Sequence, residues 1–194
     1  NGSWALGAFQ DKSLRNIRSL RSKLSNPWLN FTAMGSSFGA IKKINADFNL
    51  AFALSNGRNR FQSNEVFGDS NSSNVALVEL QSKNKLPSVQ FGILRENDAH
   101  LGMSGSGALN GNSNQITSFV GLSNTLNIMG GKLFGSVYWG NASNSSSNEG
   151  MIKSISNLKS SSFAIGYIAT STFAKDDQII ISIDQPIRVE AGSL

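Results

Sequence analysis

The residues best suited to chemistry sit close together. Asp98, His100, Ser104 and Ser106 bring a carboxylate, an imidazole and two hydroxyls into residues 98–106. A serine nucleophile needs an imidazole base that is held by a buried carboxylate and aimed at the hydroxyl, with oxyanion donors alongside. Here every candidate lies on one glycine-rich stretch. That stretch holds no Gly-x-Ser-x-Gly elbow between a strand and a helix. The expectation is that His100 is a loop or strand residue without catalytic duty.

Other chemistries fail on similar grounds. Gly102, Gly105 and Gly107 lack the Gly-Lys-Ser/Thr ending and following helix of a phosphate loop. They read better as a bulged turn or a close approach of strands. Asp176, Asp177 and Asp184 invite calcium, but no EF-hand or nonapeptide pattern accompanies them, so a polar turn is the simpler reading. There is no cysteine and one histidine, which excludes a Cys-based zinc or redox site and a poly-His metal site. The sequence thus predicts no catalytic residue, no metal and no cofactor. The sequons at Asn30, Asn71, Asn141 and Asn144 matter only in a eukaryotic secretory route.

One charged cluster remains. Lys12, Arg15, Arg18, Arg21 and Lys23 alternate with Leu14, Ile17, Leu20 and Leu24 at steps of three or four. That period predicts a short basic amphipathic helix over residues 11–25, capped by Asp11 and ended at Asn26-Pro27. No stacking aromatics are interleaved with the cations, which argues against nucleic acid. A polar lumen, an anionic surface or plain solvent are the surfaces such a helix could face.

The elements that must carry all this are strands. Charged residues are 15% of the chain, against roughly 25% in ordinary soluble domains. Ser, Asn and Gly replace them as the polar groups. No apolar run approaches the 18 or more residues of a membrane-spanning helix. Past Pro27 the period becomes two. In residues 47–55, Phe48, Leu50, Phe52 and Leu54 share one face, and Asn49, Ala51, Ala53 and Ser55 the other. A turn is expected at Asn56-Gly57. Residues 75–80 and 88–94 flank a turn at residues 83–85. Residues 118–126 lead through Gly130-Gly131 to residues 133–139, and residues 162–170 lead through residues 175–177 to residues 178–185. Longer polar stretches, notably residues 63–74 and 141–150, lie between hairpins. In several strands one face is large and apolar and the other small. Short turns alternating with long polar loops is the layout of an outer-membrane barrel. Trp28, Tyr138, Trp139 and Tyr167 are candidates for its interfacial aromatics. The alternative is a soluble extracellular β-sandwich or curved sheet, whose inner faces alternate in the same way.

Two stretches are more specific than a period. Residues 94–109 read Leu-Arg-Glu-Asn-Asp-Ala-His-Leu-Gly-Met-Ser-Gly-Ser-Gly-Ala-Leu, and residues 155–167 with 183–193 end in Gln-Pro-Ile-Arg-Val-Glu-Ala-Gly-Ser. Together with an Asn26-Pro27-Trp28-Leu29 entry, they resemble the C-terminal autotransporter-like β-barrel region of subtilisin-family secreted peptidases of Gram-negative bacteria. The resemblance implies a non-catalytic anchoring or translocating domain in the outer membrane or outside the cell. Its partners would be outer-membrane lipid or a passenger domain of the same chain, which would hold the catalytic triad. It also implies further strands beyond residues 191–194. The combined expectation is an all-β antiparallel up-and-down meander, a β-barrel or partial barrel. Residues 1–26 would form an N-terminal strand and basic helical linker, and residues 27–194 the barrel-like domain.

Overall fold

Strict alternation of apolar and polar residues commits a chain to strands, and a ladder of such strands must decide which face each set occupies. The computed structural model describes residues 4–10, 26–32, 35–57, 72–82, 86–97, 101, 114–146, 154–170 and 178–193. The strands are β1 (Trp4–Gln10), β2 (Ser36–Lys43), β3 (Phe48–Gly57), β4 (Ser73–Ser82) and β5 (Ser88–Asn97). They continue with β6 (Asn114–Ile128), β7 (Gly131–Ala142), the short β8 (Ser145–Ser146), β9 (Ser154–Thr170) and β10 (Gln178–Ser193). A single sheet runs β1-β2-β3-β4-β5-β6-β7-β9-β10, with β8 pairing β9 off this path. Every pairing is antiparallel. The all-β up-and-down meander is therefore what the alternation predicted. Among the described residues β1 pairs only with β2 and β10 only with β9, so the sheet is not closed into a barrel. No second sheet packs on it to make a sandwich among those residues.

The register aligns like with like. Phe52, Val78, Phe91, Val120 and Trp139 stand side by side across β3 to β7. Leu50, Leu80, Val89, Leu122, Val137 and Phe163 form the next row on that same face, reaching β9. Between these rows, pointing the other way, lie Ala51, Glu79, Gln90, Gly121, Tyr138 and Ser162. A one-residue slip in any strand would exchange these sets, so the register is strongly specified.

Connections differ at the two ends of the sheet. Residues 44–47, 83–87, 129–130 and 171–177 link strands at one end. Residues 11–35, 58–72, 98–113 and 143–153 link them at the other. The short-turn, long-loop division predicted from the sequence is thus a division between opposite sheet ends.

Several local expectations are corrected. Asn56-Gly57 is not a turn: β3 continues through it, with Asn56 opposite Asn74 and Gly57 opposite Ser73. Gly57 is needed there for close approach, because a Cβ would come within 2.5 Å of the Thr32 carbonyl oxygen. The β6–β7 turn is Met129-Gly130, one residue earlier than expected, and Gly131 already belongs to β7. Both turn residues have positive φ, 50° and 76°, as a type I′ hairpin turn requires. Within residues 1–26, β1 pairs with β2 along its full length. The basic helix expected over residues 11–25 lies outside the described residues. The one helix among the described residues is a 3-10 helix, Pro27–Thr32, with no basic residue in its last turn. Asn26-Pro27 therefore opens a helix here. The Asn26 Oδ1 accepts the Trp28 backbone N–H at 2.9 Å, which is a capping contact, and proline suits the first helical position.

Candidate functional site

The two faces of the sheet are the features to which a function can attach. One face, termed inner, carries the 3-10 helix. The other, termed outer, carries nothing among the described residues.

The inner face is packed and hydrogen-bonded. Trp28 is fully buried and stacks on Phe119, ring centroids 5.0 Å apart and planes within 11°. It fits because β7 presents Gly140 beneath it: a Cβ there would lie 2.5 Å from the indole. Asn26, buried, donates from Nδ2 to the Gln90 Oε1 at 2.9 Å, tying the helix entry to β5. At the helix exit the Thr32 and Ser55 hydroxyls meet at 2.6 Å, and Ser55 meets Ser37 at 2.7 Å. Phe31, Val75, Leu77, Leu94 and Tyr138 complete the apolar cluster around Trp28. The helix is thus fixed at both ends by polar contacts and in the middle by an aromatic stack.

Glycines and aromatics interlock across neighbouring strands on this face. A Cβ on Gly92 would strike the Phe119 ring at 2.2 Å, one on Gly121 the Tyr138 ring at 2.2 Å, and one on Gly166 the Phe134 ring at 2.4 Å. Each ring reaches over a glycine of the adjacent strand, into the space that a side chain there would fill. Such pairs also pin register.

Polar groups, of which the Glu96 carboxylate is fully buried, tie the long connections to the strand ends. The Glu96 carboxylate accepts the Leu101 backbone N–H at 2.7 Å, and the Asn97 amide donates to the Ser72 hydroxyl at 2.9 Å. The Ser143 hydroxyl accepts the Ile116 N–H at 3.1 Å.

The outer face is apolar and open among the described residues. Phe91 is 59% exposed and Trp139 is 48% exposed, while Tyr138, one residue away and pointing inward, is 1% exposed. Phe38, Leu54, Val78, Leu80, Ile93, Ile116, Phe163, Ile165, Ile181 and Ile183 are exposed as well. With Phe91 and Trp139 these are twelve large apolar side chains, each about half bare. At roughly 150–250 Å² for a large side chain, they show on the order of 1,000 Å² of apolar surface. The largest patch on an ordinary soluble monomer is about 300–600 Å².

The predicted site residues separate accordingly. Trp139 and Tyr167 belong to the outer face. Tyr167 sits near the short-turn end, where its hydroxyl lies 3.1 Å from the Met129 carbonyl oxygen and 3.2 Å from that of Ile128. Trp28 and Tyr138 do not fit the role of interfacial aromatics: both are buried on the inner face, because a glycine on the neighbouring strand gives each ring a seat. Lys12, Arg15, Arg18, Arg21 and Lys23 lie outside the described residues, as do His100, Ser104, Ser106, Asp176 and Asp177. Asp184 is exposed on β10. Among the described residues no group of three His, Cys, Asp or Glu side chains could hold a metal, and no helix is long and apolar enough to cross a membrane. The 3-10 helix and its partners Gln90, Ser55 and Phe119 were not anticipated. The signal was present in Asn26-Pro27, a capping residue followed by a proline. No family model, no curated protein and no solved structure matches this chain.

Proposed function

We propose that this chain is the wall of a non-catalytic outer-membrane-type β-domain, which anchors or translocates a passenger domain of the same polypeptide. The observation that carries the reading is the inversion of the two faces. Two adjacent rows of large apolar side chains cross β3 to β7 on the open face, while the covered face sets Ser, Gly, Ala, Gln and Glu around one apolar cluster centred on Trp28. Hydrocarbon rewards that arrangement and water does not: burying the bare half of twelve such side chains is worth roughly 10–25 kcal/mol. The long-loop and short-turn ends, the low charge and the resemblance to autotransporter-like regions of subtilisin-family peptidases point the same way. In this reading the strands satisfy each other's backbone groups within the bilayer, and the 3-10 helix occupies the interior. Any peptidase chemistry belongs to the passenger.

Tryptophan quenching tests it. In a Trp4→Phe/Trp28→Phe background, Trp139 reports on the outer face alone. Folded into vesicles, it is expected to be quenched strongly by brominated acyl chains and weakly by aqueous acrylamide. A Trp4→Phe/Trp139→Phe chain, which keeps only Trp28, is expected to respond to neither. Full acrylamide quenching of Trp139 with no effect of bromolipid would sink the membrane reading.

A further inference from the structure

Among the described residues the sheet has two free edges, and their directions constrain what can join them. Nine strands lie on the continuous path and every neighbouring pair is antiparallel. The first and last strands of such a path must point the same way. β1 and β10 therefore cannot pair antiparallel with each other. Only an odd number of added strands, one at minimum, lets the ladder stay antiparallel all the way round.

β10 is not uniformly open. Its second half is blunted: Pro186 lacks a backbone donor, register shifts fall between Gln185 and Arg188 and again between Val189 and Ala191, and Arg188 and Glu190 set charges along it. These are the devices by which sheets discourage edge pairing. Its first half has no proline and no register shift, and its one charge is the exposed Asp184. Residues 178–185 pair with β9 in unbroken register and face outward with Ile181 and Ile183, 68% and 69% exposed. Ile165, opposite Ile183 but one strand further in, is 50% exposed. The extra exposure marks the absence of a neighbour in that apolar row.

We infer that residues 178–185 of β10 are a docking edge for one extended segment that runs antiparallel to β10. The occupant has large apolar residues facing outward, in line with Ile181 and Ile183, and small or polar residues facing inward. A second copy of the chain is a poor fit. Antiparallel β10–β10 pairing would set one copy's short turns beside the other's long connections, inverting one copy across a bilayer. This inference rests on the outward-facing reading above for its choice of occupant, but edge pairing itself needs no lipid.

The chain has no cysteine, so an introduced thiol is unique. The probe is a ten-residue peptide of alternating valine and threonine with one central valine replaced by cysteine. It is added under mild oxidation to Ile183→Cys or Ile165→Cys protein, both folded in detergent and both assayed again in aqueous buffer. The expected result is peptide disulfide on Ile183→Cys at least about tenfold above that on Ile165→Cys, which β10 shields from the added strand. An Ile181→Lys change in the Ile183→Cys protein should remove most of it, since a lysine on the edge opposes pairing. No labelling of Ile183→Cys overturns the proposal. Equal labelling of both sites overturns it too, because the peptide would then have split β9 from β10. So does covalent dimer without peptide, which assigns the edge to a second copy. Edge labelling together with acrylamide-accessible Trp139 would leave the docking edge standing and remove the membrane reading, so the two failures are separable.

Discussion

A lysine in place of Phe91 separates a lipid-facing sheet from a water-facing one by magnitude. Phe91 stands in the middle of the outer row between Val78 and Val120 and is 59% exposed. If that exposed fraction contacts hydrocarbon, losing it costs about 1–2 kcal/mol, taking about 1.5–3 kcal/mol for a whole phenylalanine. Placing a lysine on the lipid face near mid-bilayer adds about 2–4 kcal/mol. With the covered fraction of the ring, about 1 kcal/mol, the sum is roughly 4–7 kcal/mol. If the face contacts water, the lysine is solvated and only the covered fraction of the ring is lost, about 1 kcal/mol. The inner-face control is Thr125→Lys on β6, an exposed position whose side chain points away from lipid, expected to cost under about 1 kcal/mol in either case. Equilibrium urea unfolding from vesicles, followed by tryptophan emission, measures both variants against the parent chain. A Phe91→Lys cost below about 1 kcal/mol, or one equal to that of Thr125→Lys, would refute the assignment of the outer face to lipid.

Three further outcomes are expected. Gly121→Val drives a side chain into the Tyr138 ring, and overpacking of this kind should cost at least about 1–3 kcal/mol in the same titration; Gly121→Val/Tyr138→Ala should be less destabilised than the sum of its single changes, and strict additivity would deny the contact. Asn26→Ala removes the cap on Trp28 and strands the Gln90 amide, for about 1–3 kcal/mol by the same measurement, whereas Asn30→Ala on the same helix should change stability by under about 0.5 kcal/mol. Met129→Asn should stabilise the β6–β7 hairpin by a few tenths to about 1 kcal/mol, because asparagine tolerates the positive φ that methionine holds at 94% exposure; a destabilised variant would contradict the turn type.

Much of the meander was legible because strand faces alternate with a period that sequence alone reveals. The run Phe48, Leu50, Phe52, Leu54 located β3, and the interval from residue 83 to 85 separated β4 from β5 correctly. Boundaries were less legible. Asn56-Gly57 carries a strong turn signature, yet pairing with Asn74 and Ser73 holds it extended, so a ladder overrode a local preference. Met129 was overlooked as a turn residue because methionine seldom adopts positive φ; there the hairpin register imposed the conformation. Trp28 and Tyr138 were misread because a sequence shows that an aromatic is present but not that a glycine on another strand has made room for it.

Sequence by itself determined that this chain makes antiparallel strands, that several of them have one large apolar face, and that a composition with no cysteine and one histidine supports no thiolate or poly-His chemistry. Period-two alternation is a property of neighbours along the chain, so it needs no tertiary information. Only the tertiary structure decided which face was covered. A strand does not encode which side will be inside; the 3-10 helix from Pro27 to Thr32 settled it by seating Trp28 over Gly140 and against Phe119. That placement left Phe91 and Trp139 bare on the opposite side, and it depends on residues more than a hundred positions apart.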